Sequence, residues 1–85
     1  VTTTPREWVD QFAAAIGVTS PTDTEIQRIL ELAGVAARSS ERTAAPITCW
    51  LAAQAGLSPS DALGRAEALK GALEVRVDGN GDQPA

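Results

Sequence analysis

The sequence predicts an all-α domain, a compact array of four short helices with a disordered C-terminal tail. Three observations carry that expectation. Sixteen of the 85 residues are Ala, and β-branched residues do not alternate with polar ones, so strands have little support. Helix-start signatures recur along the chain, three of them built on Pro. Apolar residues then follow each signature at helical spacing.

The first helix is expected over about 5–16. Thr4 can cap, Pro5 suits the first helical position, and Glu7 can reach back to the cap amide. Trp8, Val9, Phe12, Ala15 and Ile16 fall on one arc, and Gly17 is a natural stop. The second helix is expected over about 23–38, where Thr22 and Glu25 repeat the capping pattern. Its main stripe is Ile26, Ile29, Leu30, Ala33 and Ala37, with Leu32 and Val35 off that stripe. A helix apolar over so wide an arc is packed from more than one side, so it reads as central.

Pro46 opens the third helix, expected over about 46–55 with Gly56 after it. A Pro inside a helix costs roughly 3 kcal/mol, which argues against a helix running through it. Ile47, Trp50 and Leu51 share a face, and Ala52, Ala53 and Ala55 leave hardly any polar side. Ser58-Pro59-Ser60-Asp61 opens the fourth helix, expected over about 59–73 with Ala62, Ala66, Leu69 and Leu73 in its stripe. The domain therefore spans 1–77, and 78–85 reads as tail.

Composition excludes several chemistries. The net charge is −4 and the seven cations form no stripe, against a nucleic-acid backbone partner. A helix-turn-helix in the last two helices would offer Arg65 and Lys70 against Glu67, a poor match to DNA. With no His and one Cys, neither an intrachain disulfide nor an ordinary Cys/His zinc site can form, and no metal or other cofactor is expected. No apolar run approaches 20 residues, so no membrane span is expected, and no signal peptide is evident. A cytoplasmic protein is the default reading. Val1 fits a GTG start codon read literally in a GC-rich bacterial genome, with an expression boundary as the rival explanation.

Between Arg42 and Asp61 no residue is charged. Such a stretch is either a buried centre or a surface for a partner. Two blocks, Trp8 to Gly17 and Ser40 to Leu51, together with Leu30-Glu31-Leu32-Ala33, resemble a small bacterial domain of unknown function. That domain occurs in high-GC Gram-positive bacteria, alone or at the end of nucleotidyltransferases that join a guanine nucleotide to molybdopterin. The resemblance covers about residues 5–73 and implies an accessory role in molybdenum-cofactor synthesis. It does not imply the transferase reaction, because this chain lacks that enzyme's Gly-rich loop and metal-binding acids.

Candidate site residues follow. Ser40, Glu41, Arg42 and Thr43 precede the third helix, where Arg42 and helix N-terminal amides could hold a phosphate. Their commoner use is structural, with Glu41 and Arg42 tying the loop and Ser40 or Thr43 capping. Leu32, Val35 and the third helix supply more apolar surface than one small bundle needs, which suggests an interface. Trp8 and Trp50 read as core residues, and Cys49 as a small apolar one. The carboxylates Asp23, Glu25 and Asp61 belong to first helical turns, and no catalytic residue is assigned. The region Ser20 to Ile26 lacks the attachment serine pattern of an acyl carrier protein. The expectation is a non-enzymatic domain that binds a protein partner or forms a homodimer. The alternative is a phosphate-ligand binder at Arg42.

Overall fold

The structure, a computed structural model, describes the backbone of residues 3–80 and the side chains of residues 3–74. Four helices follow in order: α1 (Pro5–Ile16), α2 (Asp23–Ser39), α3 (Ala44–Gln54) and α4 (Pro59–Asn80), with no strand among the described residues. The expected all-α, four-helix fold is the one observed.

Local chemistry sets the helix ends. Thr4 and Thr22 each form a full capping box, with Glu7 and Glu25 as partners, at 2.9–3.1 Å. The Asp61 amide donates to Ser58 Oγ at 3.1 Å, which starts α4. Gly17 and Gly56 end α1 and α3 at φ 79° and 74°, where an L side chain is strained. The paired bonds Val18 N–H to Ala13 O and Leu57 N–H to Ala52 O complete the same terminating motif twice.

Two boundaries differ from expectation. α3 begins at Ala44, which makes Pro46 its third residue. The third residue of a helix has no carbonyl four residues back inside the helix to donate to, so the missing N–H of Pro46 breaks no helical bond there. α4 continues to Asn80, past its expected end near Leu73 and through the expected start of the tail at Asp78. Residues 81–85 of that tail lie outside the described residues.

α2 packs against both α3 and α4. Among the described residues, α3 and α4 make no comparable contact with each other, and α1 packs closely on none of the other helices. Among the described residues, Ala13, Leu32, Val35 and Ala62 are buried. Leu32 and Val35, read above as interface residues, are only 3% and 4% exposed. The face of α2 that carries them, with Ala36 half-buried beside them, is the one turned to α3 and α4. Leu30, from the expected main stripe, is instead exposed. The wide apolar arc of α2 could be centred either way, and the packing of α3 and α4 decides it.

Candidate functional site

The Ser40 to Thr43 loop is built from backbone bonds. Ser40 N–H donates to Ala36 O, Ala44 N–H to Glu41 O at 2.9 Å, and Ala45 N–H to Arg42 O at 3.1 Å. Thr43 makes no side-chain cap, and Glu41 and Arg42 form no ion pair with each other. All four residues are exposed except for their backbone roles. The structural use expected of these side chains is therefore not the one observed. The α3 N-terminus also lacks the donors an anion needs, since the amides of Ala44 and Ala45 are spent and Pro46 has none. The Arg42 guanidinium and the exposed Ser40 and Thr43 hydroxyls are left to meet a phosphate.

Apolar surface is the dominant feature instead. On α1, Trp8, Phe12 and Ile16 are spaced one turn apart and are 60%, 51% and 56% exposed. The Trp8 and Phe12 rings stack with centroids 6.0 Å apart and planes 13° from parallel. On α3, Ile47, Trp50 and Leu51 are exposed to a similar degree. Both Trp residues were expected in the core, and both lie outside it. Their helices are apolar, but no neighbouring helix covers those faces. The uncharged stretch thus divides: Thr48, Cys49 and Ala52 are half-buried, and the Ile47–Trp50–Leu51 face meets solvent.

A groove runs between α3 and α4. Because these helices pack on α2 but not closely on each other, Leu32 and Val35 form its floor. One end is a cleft of about 220 Å³ bounded by Thr48, Leu69, Lys70 and Leu73. The other is a shallower hollow of about 250 Å³ bounded by Leu51, Leu57, Arg65 and Leu69. Thr48, Ala66 and Leu69 border both, so the two hollows are continuous. The charged residues on their rims, Arg65 and Lys70, are positive.

Cys49 sits half-buried beside a smaller hollow of about 120 Å³ with Ile29 and Leu57. Partial burial pushes its thiol pKa up from the ordinary value, which lowers the thiolate fraction. Among the described residues, no cluster of His, Cys, Asp or Glu is placed to hold a metal, and no helix is long and apolar enough to cross a membrane.

Sequence reasoning missed the groove and the exposure of α1. The clue to the groove was present: Ala52, Ala62 and Ala66 are too short to fill the space between α3 and α4. The exposure of α1 had no local signal, because its apolar stripe is what a packed helix would also show.

The chain belongs to the family described as Domain of unknown function (DUF6457), whose model matches residues 2–79. No curated protein and no solved structure matches it.

Proposed function

We infer that this chain is a non-enzymatic protein-docking module that works as an accessory to a larger enzyme. The observation that carries the reading is the exposure of Trp8, Phe12 and Ile16 on α1 and of Ile47, Trp50 and Leu51 on α3. Monomers seldom leave so much apolar surface in water, and Trp is among the residues that dominate binding at interfaces. The groove between α3 and α4 suits an amphipathic helix, whose anchors recur every three or four residues.

The partner we propose is a nucleotidyltransferase of molybdenum-cofactor synthesis, in the bacterial cytoplasm. Support comes from the resemblance of the Trp8–Gly17 and Ser40–Leu51 blocks to the small domain that accompanies such enzymes. The alternative, a phosphate-containing ligand at Arg42, retains one guanidinium and the Ser40 and Thr43 hydroxyls but lacks the first helix amides, so the docking reading is favoured.

Light scattering on a sizing column tests this directly. The chain is run alone and then with the nucleotidyltransferase of its host. A complex of defined mass is expected, and Trp50→Ala should weaken it on the order of tenfold or more. An enzyme that elutes unchanged beside the free chain would remove the pathway assignment.

A further inference from the structure

The chain carries both halves of a helix-in-groove contact and holds them apart. α1 presents Trp8, Phe12 and Ile16 with no helix against them. The α3/α4 groove offers Leu51, Leu69 and Leu73, which are 60%, 59% and 39% exposed. We propose that α1 of one copy seats in the α3/α4 groove of a second copy, and reciprocally, to form a two-fold dimer. The proposal rests on the docking reading above and names a second copy of this chain as an occupant of that surface.

The join between α1 and α2 keeps α1 out of its own groove. After Gly17 the chain turns back along α1, so that Ser20 donates its hydroxyl proton to Asp10 and Asp23 comes within 3.7 Å of Arg6. These contacts place the start of α2 beside the first two turns of α1. The groove begins near Leu32 and reaches Ser39, about 14–24 Å further along α2 at 1.5 Å per residue. Among the described residues, no close helix packing carries α1 along that length.

Area argues for reciprocity. A whole Trp or Phe buries about 150–250 Å², so half-exposed Trp8 and Phe12 each have about 100 Å² left to cover. With Ile16 the arm has about 300 Å² to cover, so with a matching groove wall one arm in one groove removes about 600 Å² in total, within the range of incidental packing contacts. Two such contacts remove about 1,200 Å², the lower end of the range for stable interfaces. A single seated arm is therefore marginal and a reciprocal pair is not. A reciprocal pair also closes, whereas a one-way arrangement would propagate into filaments.

Charge agrees in sign. Of the two cations that border the groove Lys70 is already paired with Glu74, so Arg65 is the one that meets α1, where Arg6 against Glu7 and Asp10 leaves one net negative charge. This complementarity guides register more than it adds affinity.

Two full-length variants test the exchange. Trp8→Asp disables the arm and leaves the groove, while Leu69→Asp disables the groove and leaves the arm. Both sites are exposed, so each variant should keep the helical signal of the parent. Light scattering across a dilution series is expected to give twice the 8.8 kDa of one chain for the parent and one chain's mass for each variant. An equimolar mixture of the variants should recover dimer at high concentration, because one intact arm still meets one intact groove. In a Trp50→Phe background, the Trp8 emission should shift to the blue as the dimer forms. A parent that stays at 8.8 kDa, or a dimer that survives Trp8→Asp, overturns the exchange. Neither result touches docking to the nucleotidyltransferase, whose own failure would in turn leave a measured dimer standing.

Discussion

Arg6 and Asp23 meet at 3.7 Å across the join between α1 and α2. Arg6 Nη1 is shielded from solvent and has no hydrogen-bond acceptor, so this is an ion contact longer than a hydrogen bond. Arg6 Nε also lies 3.3 Å from Asp10, which accepts the Ser20 hydroxyl. A small polar latch thus joins two helices that do not pack closely.

Arg6→Ala should open that latch. Exposed ion pairs contribute about 0–1 kcal/mol, so the midpoint of global unfolding should hardly move. A free helix of this length is marginal in water, however, so α1 depends on its attachment. Amide hydrogen exchange should quicken in residues 5–16 and stay unchanged in α2. Equal protection of α1 in both proteins would show that the latch does not support it.

Leu32 and Trp50 offer a test of which apolar residues form the core. Leu32 is 3% exposed and Trp50 is 65% exposed. Leu32→Ala should cost about 2–5 kcal/mol, enough to unfold much of a marginal domain. Trp50→Ala should stay within about 0.5 kcal/mol in the dilute monomer, despite its greater loss of volume. Urea unfolding measures both. The opposite order would place the core elsewhere.

These two residues also show what was legible in the sequence. The starts of α1, α2 and α4 were, because their caps are local devices: Thr22 and Glu25 satisfy each other's amides without reference to the rest of the chain, whereas α3, with no side-chain cap, starts two residues before the expected Pro46. Which arc of an apolar helix faces inward was not. α2 is apolar on most sides, and only the positions of α3 and α4 turn Leu32 in and Leu30 out. The same limit hid the site. A stripe such as Trp8–Phe12–Ile16 reads identically whether its cover is the rest of this chain or another molecule. The Ser40–Thr43 knot misled in the other direction, since its polar side chains suggested caps that backbone carbonyls supply.

Thr22→Ala should remove the cap of the central helix. Thr22 Oγ1 accepts from the Glu25 amide at 3.1 Å, and the Glu25 carboxylate accepts from the Thr22 amide at 2.9 Å. Loss of such a cap costs about 1 kcal/mol, and Thr22→Ser should restore most of it. A Thr22→Ala midpoint equal to that of the parent would mean that water satisfies those amides equally well.

Gly64→Ala should stabilise the domain. Gly64 lies inside α4, is exposed, and has open space where a Cβ would stand. Gly in a helix interior is about 0.5–1 kcal/mol worse than Ala, partly through the unfolded chain. Gly17→Ala should do the reverse, because its φ of 79° strains any Cβ even though the space there is equally open. Thermal unfolding of the pair therefore separates crowding from backbone conformation, and a Gly17→Ala gain would contradict the turn.

Stability should fall at alkaline pH, and Cys49 supplies one reason. Burial raises its pKa in the folded chain above that of the unfolded one. Between the two values the unfolded state has lost its proton while the folded state keeps it. The unfolded state then binds fewer protons, so unfolding becomes easier as pH rises through the unfolded thiol's pKa of about 8.5. The loss levels off above the folded value, and below the unfolded value the contribution is complete. Cys49→Ala should flatten this part of the profile without removing the alkaline effects of other groups. Alkylation offers a second reading: iodoacetamide should label the native thiol more slowly than the urea-unfolded one at the same pH. Equal labelling rates would mean that the pocket beside Ile29 and Leu57 does not shield the sulfur.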